Sequence, residues 1–237
     1  MAPDSPLEDF WEASSLHPHN ISAFAARLLT HTDSDLPVHP LTPTGRPIPL
    51  PTVNDRTQRL LKQRRSGRSF REGTLDTKPL GRLLSSVGDT LIPAAGGIES
   101  RFTYVMCGAV AEPFAEQTFQ YRARDHALAR VGPAPDRNER RRLFSLECEG
   151  EPHVLIVSVI HLDELRYKYG DRALRFALQQ VGHAHQNLSL RAAADGLAAY
   201  VLGGALDDEL LDALGLLHTS ALIGGAMAVG LPAGTGG

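Results

Sequence analysis

The chain has 237 residues, 42% hydrophobic and 22% charged, with a formal net charge of -3. That length can bury a core without covalent staples, and the near-neutral balance speaks against a nucleic-acid binder. Cys107 and Cys148 are the only cysteines, too few for a disulfide framework, and no apolar run reaches ~18 residues and no signal peptide opens the chain, so a cytoplasmic protein without membrane contact is expected.

Residues 1–54 read as an N-terminal extension. Apolar spacing in "ISAFAARLL" predicts a helix after an Asn20 cap. Proline density from Pro37 to Pro51 excludes helix and predicts an extended segment, read as a linker or an arm laid over the main domain. That domain is expected over residues 55–230, with a flexible tail at 231–237. "DRTQRLLKQRRS" predicts a helix starting at Asp55. "DTKPLGRLLSSVG" predicts another, with Pro79 in its first turn and Gly88 as a stop. "FTYVMCGAV" reads as a strand, and the charged run "APDRNERRRLF" as a solvated helix face. "HVLIVSVI" is a continuous β-branched run, as expected of a strand buried on both faces.

After it comes "RYKYGDRALRF", read as a loop carrying Lys168 and Tyr169, with Asp171 as the cap of the next helix. That helix, from 171 to about 195, is the longest, and Gly196 ends it. "LAAYVL" predicts a strand, "LDDELLDALG" a short helix with acids in its first turn, and "ALIGGAMAVG" a last strand. Helices and strands mix without strict βα alternation, which makes the fold class α+β.

No GxGxxG, P-loop or GxSxG pattern occurs. In "GHAHQ", His183 and His185 point to opposite sides of a helix, which argues against a shared metal. His185 falls on the apolar stripe Leu174, Leu178, Val181, Leu188, Ala192 and is expected to be a packed core histidine. "RRSGRSF" (64–70) gathers guanidinium and hydroxyl groups of the kind that hold phosphate. "PAAGG" (93–97) and "LGGALDDE" (202–209) are Gly-rich loops whose backbones can approach a flat ligand.

In this order these motifs resemble the nitroreductase-like flavin oxidoreductases. The blocks "RRSGRSF", "PAAGG", "FQYRARDHALARV" and "KYGDRALRFALQQVGHAHQNLSLRAAADGLAAYVLGG" look most like the SagB-type branch, the azoline dehydrogenases of ribosomal peptide biosynthesis. The resemblance implies a mixed or antiparallel sheet packed with helices, a homodimer, and FMN in a cleft at the dimer interface. It assigns the phosphate end to Arg64, Arg65, Ser66 and Arg68, the ring's packing to Ala94, Ala95, Gly96 and Gly97, and its reactive edge to Gly203 and Gly204. It makes Lys168 and Tyr169 the catalytic pair. It also implies an azoline-containing precursor peptide as substrate and a cyclodehydratase as partner.

Azoline oxidation removes a hydride and a proton, and the protein must manage the proton. A base at neutral pH must be held well below the ordinary value of about 10 shared by Lys and Tyr. Burial, with Arg166 and Arg172 nearby, is the expected means for Lys168, leaving Tyr169 as partner or relay. This chain departs from the family pattern at Ala94, where a serine is usual, and at Glu99-Ser100, where an aromatic or histidine precedes proline. It also has no basic pair near its C-terminus. Two other readings stand beside the dehydrogenase: a small-molecule NAD(P)H nitro- or ene-reductase, and a flavin-free scaffold in a peptide-modifying complex.

Overall fold

The computed structural model describes residues 6–30, 48–88 and 90–234. It opens with helices α1 (Pro6–Ser14) and α2 (Ile21–Thr30). The predicted Pro-rich arm lies partly outside the described residues. Helix α3 (Arg56–Gln63) starts where expected, because the Asp55 carboxylate accepts the Gln58 N–H at 2.7 Å. Helix α4 (Thr77–Ser85) buries Leu80, Leu83 and Leu84. There follow β1 (Arg101–Cys107), β2 (Gln117–Arg122), β3 (Ala127–Pro133), α5 (Arg137–Leu143), β4 (Val154–His161) and α6 (Asp163–Tyr169). The 22-residue α7 (Ala173–Ala194), β5 (Ala198–Val201), α8 (Asp207–Ala213) and β6 (Ala221–Gly230) complete the chain.

One six-stranded sheet runs β3-β2-β1-β4-β6-β5, and every pair in it is antiparallel. The expected α+β class and antiparallel sheet are therefore the observed ones. Central β4 is buried on both faces. Val154 and Ile156 join α4 and α7 residues such as Leu84 and Leu188 on one face. Leu155 and Val157 join Phe144, Leu210 and Tyr200 on the other.

The register of β4 against β6 shifts after Ser158: Ser158 faces Gly225, Val159 faces Ile223, and Gly224 is the extra residue. A Cβ on Gly224 would lie 2.7 Å from Ile160 Cδ1 and 2.8 Å from Val181 Cγ2. The bulge therefore lets α7 press directly on strand backbone.

Several local expectations are corrected. Asn20 does not cap α2; its side chain accepts the His17 N–H at 2.9 Å and donates to Ser15 O, closing the turn before the helix. Asp171 lies in a 3-10 turn and makes no cap, since α7 begins after Arg172 without a side-chain cap bond. Lys168 and Tyr169 sit in the last turn of a helix, not in a loop. The hairpin β2–β3 was not legible as strands. The basic helix α5 is not wholly solvated: Arg140 and Leu143 are buried, with Arg140 Nη1 2.9 Å from Glu116. Leu178 is exposed, while the rest of its stripe is buried. Within the segment read as a flexible tail, Arg71 N–H donates to Leu231 O and Ala233 N–H to Ser69 O.

His185 is a core histidine as expected, with Nε2 3.2 Å from Ser158 Oγ. Burial, helped by repulsion from Arg101, pushes its pKa down to about 4. Below the unfolded value of about 6.5 the unfolded chain takes up a proton that the fold refuses. Stability should therefore fall from about pH 6.5 to about pH 4, with ~2 kcal/mol lost by pH 5. Urea melts at pH 7.5 and 5.0 measure this, and His185→Gln should flatten the difference.

Gly150 has φ +72, and a Cβ there would lie 2.1 Å from the Phe70 carbonyl oxygen. Backbone cannot retreat as a side-chain tip can. Gly150→Ala should cost ~2–5 kcal/mol through strain and overpacking, read as a Tm lowered by roughly 10 °C.

Candidate cofactor and catalytic site

The structure gathers the residues predicted for the site into two groups. The first surrounds the end of α6. Acids Asp163 and Glu164 in its first turn and Arg166 and Lys168 in its last suit the helix dipole. Gly170, at φ 56, ends the helix and turns the chain into α7. Tyr169 is half-buried, its ring 4.9 Å from that of Phe176 in an edge contact, and Lys168 Nζ lies 5.4 Å from the Tyr169 ring.

Opposite them lies the loop Ala94–Gly97. Gly96 adopts φ +62, and a Cβ on it would fall 2.4 Å from Tyr169 Oη and 2.5 Å from Lys168 Nζ. The loop and the pair, more than seventy positions apart, thus meet where one residue has no side chain. Ala94 is extended, and the short turn Ala95–Gly97 follows it.

Two expectations about this group fail. Lys168 is exposed, so the burial expected to prepare it as a base is not provided by the chain's own packing. The contacts of the neighbouring arginines run elsewhere than expected: Arg166 contacts Glu8 at 3.3 Å, and Arg172 lies 5.8 Å from the Phe176 ring, on which Tyr169 packs.

The departures at Glu99 and Ser100 have local partners. Gln180, buried in α7, accepts from the Ser100 N–H and hydroxyl at 3.1 Å and donates to Ile98 O at 2.8 Å. Glu99 lies 3.3 Å from the buried Arg101 guanidinium, whose Nη1 donates to Thr103 Oγ1. One amide and one ion pair therefore fix the exit of the Gly96 loop. Sequence reading missed Gln180. Its signal was there: position 180 falls on the buried stripe of Ala177, Val181 and Ala184, where a polar side chain must find partners.

The second group begins where α3 ends. Arg64 leaves the helix with extended backbone, and Gly67 donates its N–H to Ala199 O at 3.0 Å, tying the arginine loop to β5. A Cβ on Gly67 would lie 3.0 Å from that of Ala198. Arg65 Nη1 turns back to the carbonyls of Lys62 and Arg64, at 2.6 and 3.0 Å. The Arg68 guanidinium lies over the Tyr200 ring, 5.2 Å from its centroid. Ser66 is exposed.

Beyond β5 comes the turn with Gly203 and Gly204. A Cβ on Gly203 would meet nothing within 4 Å, whereas one on Gly204 would lie 2.8 Å from Leu16 Cδ1. Asp207 opens α8 beside this turn and accepts the Leu16 N–H at 2.8 Å. Burial pushes the Asp207 carboxyl up to about 6, against the opposing pull of that amide and of His17.

The arginine loop and the end of α6 lie toward opposite ends of the sheet, with the Gly203–Gly204 turn between them, Leu202 N–H donating to Ala226 O. The arginine loop joins β5 at Ala199, which faces Val229, while α6 follows His161, which faces Ala221. From Ala221 to Val229 the strand runs roughly 27 Å at ~3.4 Å per residue.

Residues 61–231 match the Nitroreductase family. A candidate nitroreductase of Methanocaldococcus jannaschii is 27% identical over 177 residues, covering 70% of this chain and 88% of that protein. Among solved structures, a candidate nitroreductase of Ralstonia eutropha superposes with a TM-score of 0.65 at 20% identity, over 79% of this chain and 88% of the other. A chain of the Escherichia coli microcin synthetase McbBCD complex, solved with truncated pro-MccB17 bound, superposes at 0.67 and 19% identity, over 90% of this chain and 91% of the other. At such identities the superpositions speak for the fold. The family match covers most of the chain, and the protein belongs to the nitroreductase family.

Proposed function

We propose that this family member is an FMN-dependent dehydrogenase that oxidises azoline rings of a ribosomal peptide to azoles. The observation that carries the reading is the contact of Gly96 with both Lys168 and Tyr169. Two proton-handling side chains converge there on a loop with no bulk of its own. Similarity in fold to a chain of a peptide-bound microcin synthetase complex supports a peptide substrate.

The residues present suit FMN. Arg64, Arg65 and Arg68 flank the exposed Ser66 along the chain and supply guanidinium groups of the kind that hold a phosphate. Ala94, Ala95, Gly96 and Gly97 on one side, and Gly203 and Gly204 on the other, offer backbone without bulk to a flat ring. When bound, FMN supplies a two-electron acceptor for the hydride.

The chain's own work is with the proton and the geometry. Conversion of an azoline to an azole breaks two C–H bonds, one leaving as hydride and one as a proton. Lys168, exposed and free to reorient, takes the proton at Nζ. Tyr169, held against Phe176, brings its hydroxyl to the same Gly96 backbone and serves as a relay for that proton. The desolvation that this role requires comes from the bound peptide or a second subunit.

The placement of the arginine loop and α6 toward opposite ends of one sheet favours a homodimer, in which the Gly96 loop of one copy serves the arginine loop of the other. The domain organisation proposed is an FMN-binding unit over 55–230 preceded by an extension over 1–54, of which the described residues Leu7 and Leu16 pack on that unit. A cytoplasmic setting beside a cyclodehydratase suits two free cysteines. Among the described residues no helix is long and apolar enough to cross a membrane.

A second reading, a small-molecule nitro- or ene-reductase using NAD(P)H, is favoured by the similarity to the Methanocaldococcus protein. One anaerobic experiment separates the two. The purified protein is mixed with azoline peptide or with NADPH, and flavin bleaching is followed by absorbance. Rapid bleaching by peptide and slow bleaching by NADPH is the expected result, and the reverse order selects the reductase. A colourless protein that takes up no FMN rejects both and leaves the scaffold role.

A further inference from the structure

The family match starts at residue 61, yet side chains well before it pack against the Gly203–Gly204 turn. Leu16 Cδ1 lies 2.8 Å from the point where a Gly204 Cβ would stand, too close for one to fit without a shift, and Phe24 Cε1 lies 3.7 Å from that point. The segment is anchored. Leu16 N–H donates to the Asp207 carboxylate at 2.8 Å, and Asp207 N–H donates back to Leu16 O at 3.2 Å. His17 Nδ1 lies 3.4 Å from Asp208. Upstream, Leu7 is buried against Leu162, Leu165 and Leu174, beside the helix that carries Lys168. The extension therefore spans from the proposed catalytic helix to the glycine turn.

The turn has one open side and one closed side. Space beyond Gly203 is clear. A cavity of about 160 Å³ borders it, with Leu16, Gly203, Gly204 and Asp207 in its wall. We infer that Leu16, backed by Phe24, is a specificity-determining wall that limits the bulk of the ring able to reach the Gly203 opening. The inference rests on the reading of Gly203 and Gly204 as the flavin's edge. Reciprocal backbone bonds to Asp207 hold the wall in place, so it acts by fixed size rather than by yielding. A leucine in this position passes narrow, flat rings and obstructs fused or heavily substituted ones.

The test uses the full-length, FMN-loaded chain and its Leu16→Ala, Leu16→Met and Leu16→Trp variants. The flavin is reduced with dithionite, then reoxidised by benzoquinone or by the bulkier menadione in a stopped-flow instrument. Each turnover moves one hydride from reduced flavin and one proton from solvent to the quinone, which leaves as hydroquinone. Leu16→Ala should raise the menadione-to-benzoquinone rate ratio about tenfold, the scale on which apolar pockets sort by size. Leu16→Trp should lower it, and Leu16→Met should keep the wild-type ratio.

A second readout needs no flavin. Hydrogen exchange at the Asp207 amide, bonded to Leu16 O, should quicken in Leu16→Ala and stay slow in Leu16→Met. A yellow enzyme whose rate ratio does not move in Leu16→Ala overturns the inference, as does unchanged exchange at Asp207. A colourless wild-type protein instead removes the flavin reading itself, and the substrate role of Leu16 with it.

Discussion

A Lys168→Ala, Tyr169→Phe double variant is expected to retain FMN and to lose azoline oxidation by roughly 10²–10⁴-fold, the usual weight of a positioned acid–base group. The change is confined to proton-handling atoms. Phe at 169 keeps the edge contact with Phe176, and Lys168 is exposed, so truncating it opens no cavity. Flavin absorbance and peptide turnover, measured on the same preparation, separate cofactor loss from chemical loss. Wild-type turnover by a yellow double variant would sink the catalytic assignment.

Gly96→Ala should cut kcat by about 10²-fold, the scale expected when a reacting group is misplaced by about 1 Å. The new Cβ would stand 2.4 Å from Tyr169 Oη and 2.5 Å from Lys168 Nζ. Both neighbours are the far ends of flexible side chains, so the fold gives way there at little cost while the pair is displaced. Gly97→Ala is the matched control. Gly97 also has positive φ, at +77, but its Cβ would meet nothing within 4 Å. Both variants pay a similar backbone strain, of about 1 kcal/mol, and should show similar small losses in Tm. Gly96→Ala should lose turnover per bound flavin, whereas any loss in Gly97→Ala should follow its flavin content, since Gly97 is proposed to face the ring. Equal kcat per bound flavin in the two variants would refute the idea that the Gly96 contact positions the pair.

Much of this architecture was legible where burial repeats at a helix or strand period. The continuous run of β4, the acidic start of α8 and the Asp55 cap of α3 all folded as their residues dictate. What escaped had weak periodicity. Helix α6 buries only Leu165, so "DELRYKY" carries no apolar stripe to betray it. Strand β3 has no fully buried residue, and an edge strand of that kind reads as loop. The candidate site was readable as separate motifs, because each motif is local. Its assembly was not: no pattern within "PAAGG" says that Gly96 will face Lys168, and none in "SLHPHN" says that Leu16 will close over Gly204. Those contacts belong to the packing of distant segments, not to the propensities of either.

The bulge at Gly224 has a consequence for how this chain can change length. On either side of it β6 is read in opposite phase. Ala221 and Ile223, at odd positions, share a face with Ala226 and Ala228, at even ones. Gly224 is thus a spacer that lets one strand satisfy two different countings. Remove it, and Ala221, Leu222 and Ile223 exchange sides, sending Leu222 away from Leu174 and Val181 and into the opposite layer. Most substitutions along this strand alter how well a surface fits. The loss of this one residue would alter which surface is presented, so in this stretch the chain tolerates a change of side chain far better than a change of number.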